Sequence, residues 1–185
     1  MRRKWNTGKP GRRILTPDYR FADFTAVTPE FLRGLGVRAV LSDLDNTLAP
    51  YEMPEPDERI RAWIASLREA GIALALVSNN HADRVERFNR TLGLPVFPDV
   101  GKPKRKGLRR AMAALGVDAN ETAMLGDQLL TDVLAGSRLG CLTLLVPPIK
   151  DKTTAFFRFK RALEKPFLRR YERLERKWER ERGNP

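Results

Sequence analysis

Short apolar, β-rich runs alternate along this chain with segments whose apolar residues recur at helical spacing, and no other feature narrows the fold as much. Runs at residues 37–44, 72–77, 122–125 and 141–146 read as strands, with a weaker extended piece at 95–97. Between them Ile60, Trp63, Ile64 and Leu67 stand at i, i+3, i+4 and i+7, which predicts a helix over 57–70 that Gly71 ends. Further helices are predicted over 81–92 on Val85 and Phe88, over 106–115 on Leu108 and Met112, and over 129–139, closed by Gly140. A short helix over 29–35 precedes the first run, with Thr28 as cap and Pro29 at the first helical position. Strands alternating with helices of this length imply right-handed crossovers. The chain therefore reads as an α/β protein, with a mostly parallel sheet covered by helices on both faces. In such sheets ligands bind beyond the carboxyl ends of the strands, so the polar residues that close each apolar run are the first place to look for function.

The length, 185 residues, suits one domain with tails. A formal charge of +12 suggests an anionic partner, but its distribution matters more than its size. Residues 1–20 carry seven basic residues against one acid, and residues 150–185 carry thirteen against six. The stretch between holds fifteen against sixteen and is nearly neutral. Three parts follow: a basic flexible arm over 1–20, a folded domain over 21–149, and a basic helical segment over 150–185. The lone Cys141 lies in an apolar run and reads as a small buried hydrophobe. No run reaches the ~18–20 apolar residues of a membrane span, and the basic start lacks the apolar stretch of a secretory signal. The expected location is cytoplasmic.

The strand ends read Ser42-Asp43-Leu44-Asp45-Asn46-Thr47, Val77-Ser78-Asn79-Asn80, Gly101-Lys102-Pro103 and Gly126-Asp127-Gln128-Leu129-Leu130-Thr131-Asp132. Taken singly, each is a common turn or cap device. Together they would bring Asp43, Asp45 and Asp127 into one crevice, where carboxylates repel unless a cation or a proton joins them. A hard divalent ion resolves that conflict, and Mg²⁺ is the usual choice beside a phosphate. Lys102 would then be a fixed positive charge facing an anionic substrate, with Ser78 and the amide of Asn79 donating to its oxygens.

In this order the four segments resemble the haloacid dehalogenase superfamily, whose motifs are DxDx[TV], a strand-ending Ser or Thr, a Lys, and an acidic pair such as GDxxxxD. The resemblance implies a Rossmann-like fold and phosphoryl transfer through a covalent intermediate. Asp43 would be the nucleophile, and Asp45 the acid that protonates the leaving oxygen and then the base that activates water. Mg²⁺ would be held by Asp43, the main-chain carbonyl of Asp45, and Asp127, with Asp132 in the outer shell or orienting Lys102. Thr47, Ser78, Asn79 and Lys102 would bind the phosphate. Members that dehalogenate lack the second Asp, so Asp45 favours phosphate monoesters.

Substrate choice in this superfamily usually lies in cap domains, and neither 48–76 nor 81–101 has room for one. An uncapped site suits a large or surface-bound substrate, or closure by a partner subunit. Beyond residue 150, Phe156, Phe159, Leu163, Phe167, Tyr171, Leu174 and Trp178 recur at three and four among many Lys and Arg, a basic amphipathic helix broken or kinked at Pro166. Such a helix can lie on an anionic bilayer, or pack on the sheet. Residues 15–171, with Thr28-Pro29-Glu30, the GDQLLTD block and Leu163-Glu164-Lys165-Pro166, resemble the YqeG family of subfamily IIIA phosphatases. Eukaryotic relatives of that family dephosphorylate phosphatidylglycerophosphate, which implies a lipid headgroup substrate at a membrane surface. Two alternatives remain at this level: a nucleotide, polynucleotide-end or sugar phosphate phosphatase of the same mechanism, and a scaffold without activity. His81 follows Asn80 at an expected helix start and reads as a capping neighbour.

Overall fold

The computed structural model describes residues 15–150, 162–173 and 176. Six strands, β1 (Tyr19–Arg20), β2 (Ala39–Ser42), β3 (Ala73–Val77), β4 (Val96–Phe97), β5 (Thr122–Gly126) and β6 (Leu142–Leu145), form one sheet in the order β1-β6-β5-β2-β3-β4. Every pairing is parallel. The helices are α1 (Pro29–Gly34), α2 (Glu58–Glu69), α3 (Ala82–Asn89), α4 (Lys106–Leu115) and α5 (Leu134–Leu139), and a π-helical turn, Leu129–Val133, leads into α5.

Strand alternation sends neighbouring residues to opposite faces. Val40, Leu74, Leu76 and Leu125 join one apolar cluster with Leu32 of α1, Ile60, Trp63 and Leu67 of α2, and Val85 and Phe88 of α3. Leu41, Ala75, Val77 and Met124 join the other, with Leu108 and Met112 of α4, Ala135 of α5, and Cys141. A strand buried on both faces cannot show polar alternation, which is why these runs read as continuous apolar stretches. From β2 the chain winds outward through β3 to β4, then returns to build β5 on the other side. The switch in direction falls between β2 and β5, where a crevice opens at their carboxyl ends. No inserted domain stands between β2 and β3 or between α3 and α4.

Four expectations change in detail. The arm expected over 1–20 ends sooner, because Tyr19–Arg20 pair with β6 and the Asp18 carboxylate accepts from the N–H and Oγ1 of Thr143, both at 2.8 Å. The rest of that arm, 1–14, lies outside the described residues. The run 37–44 is strand only to Ser42, since the chain then turns on Asn46, whose φ of 66° is tolerated by a short polar side chain. The helix expected over 129–139 opens as the π turn. Helical geometry over residues 162–173 continues through Pro166, where the sequence suggested a break.

The apolar side of that last helix is also spent differently. Tyr171 is buried, and Phe167 and Leu168 pack against Leu129, Val133 and Leu145. Lys165, Arg169, Arg170, Arg173 and Arg176 are exposed. Of the other aromatic and apolar positions of the expected amphipathic helix, Leu163 is exposed, and Phe156, Phe159, Leu174 and Trp178 lie outside the described residues.

Candidate active site

Asp43 is the first residue past β2, and its N–H still donates to the Leu125 carbonyl of β5 at 2.8 Å, so the main chain is fixed where the side chain enters the crevice. The chain then folds back tightly. The N–H groups of Thr47, Leu48 and Ala49 all donate to the Leu44 carbonyl. This turn brings the Thr47 hydroxyl to 3.2 Å from Asp43 Oδ2.

Lys102, from the loop after β4, reaches under the strand ends. Its Nζ donates to Asp43 Oδ1 at 2.6 Å and to the Val77 carbonyl at 2.8 Å, and it lies 2.8 Å from Asp132 Oδ1. Asn79 fixes the lysine's main chain from both sides: Asn79 Nδ2 donates to the Lys102 carbonyl at 2.9 Å, and the Lys102 N–H donates to Asn79 Oδ1 at 2.7 Å. The Asn79 side chain thus holds Lys102 in place. The Ser78 hydroxyl accepts from the Asn80 N–H at 3.0 Å and lines the crevice.

Asp127 and Asp132 arrive from β5 and the π turn. Asp132 Oδ2 accepts from the Gln128 N–H at 3.2 Å and the Thr131 hydroxyl at 3.3 Å. Gly126 makes this approach feasible, because a Cβ there would lie 2.3 Å from the Asp132 carboxyl carbon. Carboxylate oxygens of Asp43, Asp127 and Asp132, all buried, lie within 4.8 Å of one another. Three hard anionic oxygens with a single ammonium among them suit an oxygen-seeking divalent cation. Asp132 joins Asp43 and Asp127 in this cluster, while the Asp45 carboxylate, expected in the same crevice, lines it from another side.

The electrostatics follow from that crowding. Burial pushes the Asp132 carboxyl up to about 6, with Asp43 adding to the rise and Lys102 opposing it. Burial works against the Lys102 ammonium, but Asp132 and Asp43 outweigh it and hold the group well above the ordinary lysine range.

Asp45 sits on the opposite rim. Its Oδ1 lies 3.1 Å from Arg84 Nη2 and accepts from Nε at 3.3 Å, and its Oδ2 accepts from Asn80 Nδ2 at 3.1 Å. Sequence reasoning did not single out Arg84, although it shares a helical face with Phe88 four residues on, a basic residue in an apolar stripe. Nor did it assign a role to Glu164, whose buried Oε1 accepts from the N–H groups of Leu129 at 2.9 Å and Leu130 at 3.3 Å. His81 caps α3 only by position and pairs on the surface with Asp99 at 2.9 Å.

Residues 11–140 match the haloacid dehalogenase-like hydrolase family. This chain belongs to that family. It is 35% identical over 157 residues to the probable phosphatase YqeG of Bacillus subtilis, covering 85% of this chain and 91% of that protein, which places it with the YqeG phosphatases. It is 30% identical over 153 residues to the chloroplastic phosphatidylglycerophosphate phosphatase 1 of Chlamydomonas reinhardtii, covering 77% of this chain but 55% of the algal protein. Among solved structures, an uncharacterized protein from Listeria monocytogenes serotype 4b shares the fold, with a TM-score of 0.51 at 16% identity over 64% of this chain and 85% of that one. The chain is thus a phosphatase of the haloacid dehalogenase type.

Proposed function

We propose that this phosphatase cleaves a phosphate monoester by way of a phosphoryl group carried on Asp43, and that its substrate is phosphatidylglycerophosphate. The observation that carries the chemistry is the Lys102 ammonium bonded to Asp43 at the end of β2, with Asp127 and Asp132 beside it. A carboxylate oxygen of Asp43 attacks phosphorus and the ester P–O bond breaks, while Asp45 in its acid form gives its proton to the leaving oxygen. Asp45, now a carboxylate, takes a proton from water; the water oxygen attacks phosphorus, the bond to Asp43 breaks, and inorganic phosphate leaves. Thr47, Ser78, the amide of Asn79 and Lys102 hold the phosphoryl oxygens. Asp43, Asp127 and the carbonyl of Asp45 would hold Mg²⁺, with Asp132 beside them; bound there, it offsets the charge that carboxylates and phosphate bring together.

Three observations support the lipid substrate. The chloroplastic relative is named for this reaction. Among the described residues nothing caps the crevice, so a headgroup standing out of a bilayer could enter. The helix that packs on the π turn exposes Lys165, Arg169, Arg170, Arg173 and Arg176, each worth ~1 kcal/mol near an anionic surface. Since Phe167 and Leu168 pack inward and Tyr171 is buried, with Leu163 the exposed apolar residue beside the basic ones, contact with such a surface at this helix would be mainly by charge. Among the described residues no helix is long and apolar enough to cross a membrane.

The test is Mg²⁺-dependent phosphate release from vesicles carrying phosphatidylglycerophosphate, beside soluble sugar phosphates and a 3′-phosphorylated oligonucleotide, with Asp43→Asn as the blank. Release from the lipid well ahead of the soluble esters, absent in the blank, is the expected result. Release only from the soluble esters would keep the chemistry and discard the lipid. Equal release by the blank would discard both.

A further inference from the structure

We propose that Arg84 is the positioning residue for Asp45, an arginine buried solely to aim the carboxylate that protonates the leaving oxygen. This rests on the role given to Asp45 above. Arg84 is only 5% exposed, yet it does not line the crevice, so it is not placed to bind the substrate phosphate directly. Two nitrogens of its guanidinium meet Asp45 Oδ1, at 3.1 and 3.3 Å. Its Cζ also lies over two aromatic rings, 5.2 Å from the Phe88 centroid and 5.8 Å from that of Tyr51. Its Nη2 also donates to the Pro50 carbonyl at 3.4 Å, which ties it to the chain that follows Asp45.

Stability alone does not account for this arrangement. A buried ion pair returns little over well-packed apolar residues of similar volume, and Arg84 Nη1 is buried without a hydrogen-bond partner among the described residues. Packing on α3 would be served as well by a methionine. What only a planar cation supplies is a two-point grip on one carboxylate oxygen, while Asn80 holds the other at 3.1 Å. Asp45 lies in a tight turn, two residues beyond the last strand bond. A proton donor and acceptor acts within hydrogen-bond reach of the reacting oxygen, and small misplacements are costly. Arg84, anchored between Val85 and Phe88 in the core, transmits the rigidity of α3 to that carboxylate.

The consequence is a dependence on the leaving group. An alkoxide must receive a proton as the P–O bond breaks, whereas p-nitrophenolate leaves without one. In the full chain with Mg²⁺, Arg84→Met is expected to lower kcat/KM for glycerol 3-phosphate by roughly 10²-fold, at the low end of what general acid catalysis contributes. For p-nitrophenyl phosphate it should stay within about threefold. Arg84→Lys keeps the charge and loses the fork, and is expected to fall between wild type and Arg84→Met on the alkyl ester. Thermal unfolding of each variant reports whether the fold persists. Equal losses on both esters, or no loss on either, would overturn the positioning role while leaving the phosphatase chemistry intact. If wild type and Asp43→Asn release phosphate from these esters alike, the chemistry itself fails, and the role of Arg84 with it.

Discussion

Asp43 and Asp45 are two residues apart and each bonds a buried cation, yet the two halves of the site that they anchor are built differently. Asp43 belongs to a half made by the sheet: its N–H is the last rung to β5, its partner Lys102 also bonds the end of β3, and Gly126 leaves only enough space for Asp132. Asp45 belongs to a half made by one helix and one turn, with the Arg84 guanidinium over the ring of Phe88 on α3 and that of Tyr51 in the chain after Leu44. The first half cannot be altered without disturbing the fold, because its charges are interlocked below the strand ends. The second can change its aim while the sheet stays as it is. The proposed mechanism uses both, a cradle where charge is concentrated and a donor aimed where the substrate's variable part leaves.

The sharpest way to break this contrast is to remove the cation of the sheet-built half. In Lys102→Met the carboxylates of Asp43 and Asp132 lose the ammonium between them, and uncompensated buried charge costs about 3–5 kcal/mol. The expected outcome, read by denaturant unfolding of metal-free protein at neutral pH, is a loss of that size together with loss of turnover on every ester. Retained stability would mean that this half is as adjustable as the other.

A smaller effect comes from Asp132, and its sign can be worked out. Its carboxyl is pushed up to about 6, above its value of about 3.9 in an unfolded chain. Its contribution to stability is therefore present in full below pH ~3.9 and is lost as the pH rises through about 6. In chelator-treated protein, wild type should lose stability relative to Asp132→Asn between pH 4 and 7. Added Mg²⁺ should abolish that slope, since a bound cation favours the carboxylate. Thermal unfolding of both chains across this range, with and without the ion, checks it; a wild-type curve parallel to the variant's without metal would contradict the crowding.

The same division explains what could be read from the chain without coordinates. Strands β2, β3, β5 and β6 announce themselves because burial on both faces makes each an uninterrupted apolar run, and Asp43, Ser78 and Asp127 are legible as the polar residues that close the first three, with Lys102 following the weaker extended piece that becomes β4. Local chemistry also marks α1, where the Thr28 hydroxyl accepts from the Phe31 N–H as the capping pattern suggests. What escaped rests on partners far apart in sequence. The edge strand β1 is two residues long, and Asp18 reaches across to Thr143. Arg84 meets Asp45 across 39 positions, and only the fold shows that a basic residue on α3 faces a strand end. The π turn escaped because helical periodicity does not distinguish a widened turn, and the acceptor at its start comes from Glu164, 35 residues away.

Glu164 gives the smallest effect and decides to which half the C-terminal helix belongs. Its Oε1 takes the N–H groups of Leu129 and Leu130, donors at the start of the π turn that the turn itself does not satisfy, immediately after Asp127 and Gln128. Glu164→Gln keeps an acceptor oxygen there and gives up the charge, so a loss of about 0.5–1 kcal/mol is expected. The consequence should be confined to the loop that carries Asp127 and Asp132, raising the Mg²⁺ concentration needed for half-maximal rate by a few-fold. Preference between alkyl and aryl esters should not move, because Asp45 and Arg84 stand across the crevice on other elements. Steady-state rates over a Mg²⁺ series with both esters separate the outcomes. A shifted midpoint with a constant ester ratio ties the helix to the sheet-built half; a changed ratio would mean that the two halves communicate, and that their separate construction does not make them independent in catalysis.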